Sequence, residues 1–315
     1  FGSSRLEAVL RTGISSAREW SAPGQPSHCE RHCSRGRCFA MQRASVLQWA
    51  LALSCILSDG VATVFFAEEF DSGWDQRWVV SWTSAKGERR GSWSISAGST
   101  WVRNATADQG LMTAEDMAFF AASASFAPFS NEGGDLVIQY QVKYDQDPSC
   151  GGAYLKLGPP MSDPDHFGDQ TPFYIMFGPD MCGTTGRRTH LIFTYNGRAE
   201  LKEVDLPYKQ DFGATHLYRM TLRPNNTIRV DIDQDTIYEG KLAADWGLPD
   251  DPLLYMFQDI GFIGFDLWQL KGGTIFDNII LTDDVAEADA FAHKWRILHD
   301  FEEMAMASNV ATNQH

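Results

Sequence analysis

Leu136-Val-Ile-Gln-Tyr-Gln-Val-Lys-Tyr144 carries an apolar residue at every even position and mostly polar ones (Gln139, Gln141, Lys143) at the odd. A strand sends successive side chains to opposite faces, so a repeat of two predicts a half-buried β-strand. The pattern recurs along the chain. Leu217–Leu222 and Thr227–Asp233 flank the turn cluster Arg223-Pro224-Asn225-Asn226. Ile228, Val230 and Ile232 fall on one side and Arg229, Asp231 and Asp233 on the other, which predicts a hairpin. His190–Tyr195 followed by Asn196-Gly197 predicts a strand ending in a tight turn, and Thr274–Leu281 predicts another. Many short strands separated by Gly, Pro and Asn predict an all-β antiparallel sandwich.

The end of the chain changes period. Ala288, Phe291, Trp295, Leu298 and Phe301 recur at spacings of three and four. This predicts an amphipathic helix over 284–315, packed on the sandwich by its apolar stripe. Asp283, Asp284 and Glu287 favour its N-terminus. The polar stretch from Ala307 to His315 is expected to fray.

The chain has 315 residues and a formal charge of −15, unevenly spread. Residues 63–315 hold 19 bases and 37 acids. A domain that acidic is a poor partner for nucleic acid, whose phosphates need a basic surface. Met41 is the first methionine. Arg43, the 12-residue apolar run Val46–Leu57 and the small residues Gly60-Val-Ala62 read as a secretory signal over 41–62, with the mature chain starting at Thr63. That run is too short for an ordinary membrane span. Residues 1–40 are Arg- and Ser-rich and read as a leader of non-native or disordered character. Their His28-Cys29, His32-Cys33 and Cys38 are zinc-ligand types without a paired second half.

Of six cysteines, only Cys150 and Cys182 fall after the signal. An even count behind a secretory signal implies an oxidising compartment and one disulfide. Each cysteine sits in a dense motif: Cys150-Gly-Gly-Ala-Tyr-Leu-Lys-Leu157 and Ile175-Met-Phe-Gly-Pro-Asp-Met-Cys-Gly183. Closing them staples two neighbouring strands and gathers Tyr154, Lys156, Met176 and Asp180 into a polar-ligand patch. Asn104-Ala-Thr and Asn225-Asn-Thr are glycosylation sequons in turn-like segments.

These motifs, with Val64–Phe70, Gly110–Thr113, Phe119–Ser130, Thr215–Tyr218, Arg223-Pro224, Asn226-Thr227, Gly264-Phe-Asp-Leu-Trp-Gln269 and Gly273–Asn278, closely resemble the calreticulin/calnexin family. They run in family order across almost all of 63–283. The resemblance implies a concanavalin-like (jelly-roll) lectin domain and a calcium-dependent chaperone of the endoplasmic reticulum lumen, not an enzyme. Its partners are monoglucosylated N-glycans on folding glycoproteins. It puts carbohydrate contacts on Tyr154, Lys156, Gly168, Phe173, Met176, Asp180, Asp266 and Trp268. It puts a structural Ca2+ on the Asp277 carboxylate and on backbone carbonyls near Glu69, Ala107 and Gln109.

Three departures stand out. The family commonly has Tyr where this chain has Phe173, with Tyr174 following. Neighbours on a strand face opposite ways, so one sugar hydrogen bond is expected to be missing unless a bulge turns Tyr174 inward. The proline-rich arm is absent: only Gly247-Leu-Pro-Asp-Asp-Pro252 bridges Trp246 to Leu253, as if excised near 247–252. Docking of oxidoreductase co-chaperones through that arm is then not expected. No acidic tail or Lys-Asp-Glu-Leu-type retention signal appears before His315. The alternatives are a glycan-independent polypeptide-binding chaperone and a glycoside hydrolase on the same fold. The second is disfavoured, since no Glu-x-Asp-x-x-Glu strand motif joins candidate acids such as Asp180 and Asp266.

Overall fold

The computed structural model describes residues 62–81, 90–183, 186–201, 206–209 and 212–312. The expected leader (1–40), its histidines and cysteines, and the expected signal apart from Ala62 lie outside the described residues. Sixteen strands occur among the described residues. In chain order they begin with β1 (Val64–Glu68), β2 (Trp78–Val80), β3 (Trp93–Ser96), β4 (Gly110–Thr113), β5 (Ala118–Phe129) and β6 (Leu136–Tyr144). Next come β7 (Cys150–Gly152), β8 (Leu155–Gly158), β9 (Ile175–Cys182), β10 (Gly186–Tyr195) and β11 (Arg198–Leu201). The last are β12 (Thr215–Leu222), β13 (Thr227–Ile232), β14 (Asp235–Lys241), β15 (Ile260–Gln269) and β16 (Thr274–Thr282). Four helices accompany them: α1 (Trp74–Arg77), α2 (Leu242–Asp245), α3 (Val285–Phe291) and α4 (His293–Thr312).

The strands form two antiparallel sheets. One runs β14-β13-β12-β6-β16-β4-β3, with β1 also on β16. The other runs β11-β10-β9-β7-β15-β5-β2, with β8 paired to both β15 and β9. Alternate residues of the two sheets meet in a shared core. Leu136, Ile138, Tyr140, Val142 and Tyr144 of β6 share it with Leu155, Phe177, Ile263, Phe265 and Leu267 of the second sheet. Burying each such side chain contributes about 1.5–3 kcal/mol. The hairpin read from sequence is β12–β13, closed by Arg223 N–H donating to the Thr227 carbonyl. The Asn196-Gly197 turn joins β10 to β11 with both residues at positive φ (49° and 75°), as a primed hairpin turn requires.

β6 differs from expectation: all nine of its residues are buried, not half of them. Its outer face is covered by α3 and α4. Val137 packs with Ile280 and Ala288, and Leu217 of neighbouring β12 with Ala292 and Trp295. Much of the polar chemistry on that face is paired, which offsets the penalty of about 1–3 kcal/mol for each buried unmatched group, although Gln139 Oε1 and Gln141 Nε2 have no hydrogen-bond partner. Gln139 Nε2 donates to the Ala288 carbonyl at 2.8 Å. Lys143 Nζ donates to Glu302 Oε1 at 3.0 Å, and Thr215 donates to Glu302 through both N–H and Oγ1.

The tail also departs from expectation. Asp284 caps α3 by accepting from Ala286 N–H, as its charge suggested. The helix breaks at Ala292 and resumes as α4 to Thr312, so 307–312 are helical and not frayed. Trp295, Leu298 and Glu302 anchor α4, after which each further residue adds a hydrogen bond at little cost. Among the described residues, no helix is long and apolar enough to cross a membrane.

Candidate functional site

The second sheet has one face in the core and one face turned outward. In β15, Ile263, Phe265 and Leu267 point to the core, so Gly264, Asp266 and Trp268 point out. The same alternation in β8 and β9 turns out Lys156, Met176 and Asp180. Register places them side by side: Lys156 is opposite both Met176 and Gly264. Asp180 is opposite Gly152, two residues from the Cys150–Cys182 pair. Those cysteines face each other across β7 and β9 and are joined in a disulfide. Gly178, between Met176 and Asp180, has φ +133°, and a Cβ there would overlap the Tyr140 hydroxyl. Only glycine fits that position.

Asp266 is the centre of charge. Its Oδ2 accepts from Lys156 Nζ at 2.9 Å and its Oδ1 from Arg90 Nη1 at 3.2 Å. Lys156 Nζ also stands 5.2 Å from the centre of the Phe173 ring, a cation–π distance. Gly168 is buried against this group: a Cβ on it would lie 3.8 Å from Asp266 Oδ1. Thus Lys156, Gly168, Phe173, Met176 and Asp266 come together.

A second group lies along the same face. His190 Nε2 is 2.9 Å from Asp180 Oδ2, and its ring meets Tyr154 edge-on at 5.7 Å. Burial, with Asp180 and Asp266 adding their negative charge, holds the Tyr154 phenol above its ordinary value. Trp268 stands two residues beyond Asp266 and opposite the exposed Phe119, at the apolar end of the strip.

No bulge rescues Tyr174. Phe173 packs with Phe167 and Phe262 on the outer face, while Tyr174 turns the other way. Its ring stacks on Phe257 at 4.9 Å and its hydroxyl donates to Asp259.

The residues expected at the cation site also converge. Glu69, Ala107, Gln109 and Asp277 line one cavity of about 470 Å3, with Asn278 and Lys294. Asp277 lies where the β16–β6 register shifts, and Asn278 beside it has φ +48°. Burial holds the Asp277 carboxyl well above the usual carboxylate range. Its Oδ2 accepts from Asn278 Nδ2, but its buried Oδ1 has no hydrogen-bond partner. Among the described residues, no group of three or more His, Cys, Asp or Glu is arranged to hold a metal ion by side chains alone. A cation here would therefore rest on Asp277 and main-chain oxygens. Both sequon asparagines are exposed. Asn104 Oδ1 accepts from Thr106 and Ala107 N–H, and Asn225 Oδ1 from Thr227.

Sequence reasoning missed three residues: Arg90, His190 and Lys294, the last paired to Glu69 at 2.6 Å. Period two in Arg188–Ile192 could have put His190 on the face of Asp180. No sequence signal points to Arg90.

A profile of the calreticulin family matches residues 66–253. The calreticulin of Chlamydomonas reinhardtii is 30% identical over 84% of this chain and 87% of its own. That alignment runs over 367 positions, more than this chain's 315 residues, so the algal protein carries internal sequence with no counterpart here. Mouse calreticulin-3 is 31% identical over 80% of this chain and 86% of its own. The solved globular domain of T. cruzi calreticulin superposes with a TM-score of 0.72 at 33% identity, covering 80% of this chain and all of that domain. A family profile over more than half the sequence, near-full-length relatives and a superposable solved domain agree: the chain belongs to the calreticulin family.

Proposed function

We propose that this protein is a lectin chaperone of the endoplasmic reticulum lumen that holds monoglucosylated N-glycans of folding glycoproteins on the outward face of β8, β9 and β15. The observation that carries the reading is the Lys156–Asp266 ion pair set between the Phe173 ring and Gly168. Carboxylates accept from sugar hydroxyls, and Asp266 keeps acceptor capacity beyond its two cations. Lys156 has three donors and spends one on Asp266. Tyr154, Phe173, Met176 and Trp268 offer apolar surface to the C–H side of a hexose ring. Each hydrogen bond to a charged group contributes about 1.5–3 kcal/mol, offset by stripping water from the sugar, which suggests roughly micromolar affinity. The reading includes no catalysis. Asn104 and Asn225 are proposed glycan acceptors. Given the short 247–252 junction, oxidoreductase docking through an arm is not part of it.

The reading includes calcium, and the residues fit it. A buried carboxylate oxygen without a donor is costly, and Asp277 Oδ1 is one beside a cavity that the Glu69, Ala107 and Gln109 segments line. Calcium would supply charge to that oxygen and tie β16 to the 107–109 loop and the end of β1, with waters completing its six to eight oxygens.

A second reading, glycan-independent binding of unfolded polypeptide, is favoured by Phe173, which lacks a hydroxyl, and by the exposed Met117 and Phe119 near Trp268. Calorimetric titration with a Glcα1-3Man-capped oligosaccharide, in calcium and then in chelator, separates the two. The lectin reading expects micromolar binding that disappears in Asp266→Ala. A folded protein that ignores the sugar, yet suppresses aggregation of an unglycosylated client, would establish the second.

A further inference from the structure

Asp266 is gripped by two cations, and one arrives from a segment with no motif. Arg90 forms a bridge with Phe119 of β5, and Gly91 N–H donates to the Phe119 carbonyl. β5 lies between Arg90 and β15. The guanidinium therefore reaches Asp266 across β5, where the residue directly opposite Asp266 is the small Ala121. The Arg90 side chain is only 3% exposed, its Nε has no hydrogen-bond partner, and Ala121, Phe167 and Phe262 form a buried apolar cluster on this face.

The loop before β9 is folded to accept this guanidinium. A Cβ on Gly168 would run into Arg90 Nη2. Glycine at 168 thus lets the loop backbone lie directly against the guanidinium, a contact distinct from any with sugar. Ser81 Oγ donating to the Pro164 carbonyl ties the same loop down.

Desolvating an arginine is expensive unless its partner needs it. That partner, Asp266, is itself open to solvent on the sugar-binding face (11% exposed side chain). Lys156, a point charge on Oδ2, fixes one oxygen and leaves the carboxylate free to turn about χ2, a broad torsion. A second cation on Oδ1 fixes its plane. We propose that Arg90 is a positioning residue of the sugar site, holding Asp266 in the orientation that accepts hexose hydroxyls. The proposal rests on the lectin reading. Arg90 acts on the ligand through Asp266, its ion-pair partner.

The test is calorimetric titration of the full chain, in calcium, with the Glcα1-3Man-capped oligosaccharide, comparing wild type, Arg90→Met and Arg90→Lys, with a thermal melt of each. Loss of one member of a buried charge pair at a binding site is expected to weaken R90M at least about tenfold. R90K, which restores a cation on Oδ1, is expected within about threefold of wild type. That rescue distinguishes positioning by charge from packing. If R90M does not fold, Arg90→Gln replaces it under the same expectation. Wild-type affinity in the neutral variant, or equal weakening of R90M and R90K, overturns the role of Arg90 and leaves the lectin reading intact. No sugar binding by folded wild type overturns both.

Discussion

Lys156 Nζ lies 2.9 Å from Asp266 Oδ2, though the residues are 110 apart in sequence. Antiparallel pairing of β8 with β15 puts Lys156 directly opposite Gly264, and Asp266 is the next residue on that face. A Cβ on Gly264 would lie 2.7 Å from the Phe167 ring, so glycine there lets that ring pack over the strand between them. Lys156→Met should weaken oligosaccharide binding by about ten- to a hundredfold, because it removes both a donor and one restraint on Asp266. A double-mutant cycle with Asp266→Asn should show coupling of at least about 1.5 kcal/mol. Additive losses would mean the two residues act separately.

The disulfide closes β7 against β9 beneath the site. Cys150→Ser with Cys182→Ser should lower unfolding free energy by about 3–4 kcal/mol on loop-closure grounds. Gly152 and Asp180 follow the cysteines in register, so sugar affinity should fall as well. Urea unfolding and calorimetry read the two effects independently. Loss of stability with unchanged affinity would show that the strands hold the site without the staple.

Asp233 gives a pH dependence. Burial works to raise its carboxyl, but the hydrogen bond and charge of His216, the Leu217 N–H and Lys209 outweigh that and hold it below the usual range. A carboxylate depressed in the folded state stabilises above its unfolded value, near 3.9, and that stability is lost as pH falls through the folded value. Asp233→Asn, an exchange its positive φ (54°) tolerates, should therefore cost about 1–3 kcal/mol at pH 7. In urea unfolding the difference should shrink toward pH 3. A constant difference would mean that packing, not charge, is what Asp233 supplies.

The sandwich was legible because strands declare themselves locally. The alternation in β6, the 223–226 turn and Asn196-Gly197 each specify their own geometry. Burial was less legible because it depends on distant partners. Gln139 and Lys143 look like solvent-facing residues until α3 and α4, about 150 residues later, supply Ala288 and Glu302. The site residues were named from motif resemblance, and strand alternation explains why Lys156, Met176 and Asp266 share a face. Arg90 was invisible for the same reason as the burial of β6: the second arginine of Glu88-Arg89-Arg90-Gly91 carries no mark of the carboxylate it reaches 176 residues later.

Asp277 tests the proposed cation site. Asp277→Asn keeps the shape and removes the charge. Calcium should raise the melting temperature of wild type, with about 2.7 kcal/mol gained at a hundredfold excess over Kd, and leave the variant unmoved. In chelator, D277N should be at least as stable as wild type, since it no longer buries a carboxyl whose Oδ1 lacks a donor. A variant still stabilised by calcium would place the ion elsewhere.

Phe173→Tyr asks whether the proposed sugar site is one hydrogen bond short. Phe173 faces outward beneath Lys156, whereas the Tyr174 hydroxyl is turned to Asp259 on the far side. The chain therefore has a tyrosine beside the site that cannot serve it. A hydroxyl on residue 173 should add one net hydrogen bond, about 0.5–1.5 kcal/mol, or roughly two- to tenfold in affinity. The Tyr174→Phe control should leave sugar affinity unchanged while loosening the contact to Asp259. If F173Y gains nothing while Asp266→Ala still abolishes binding, the ligand does not reach residue 173, and the bound sugar must be placed nearer Asp180 and Tyr154. If F173Y creates binding where wild type shows none, the natural phenylalanine has shifted this member of the family toward polypeptide recognition.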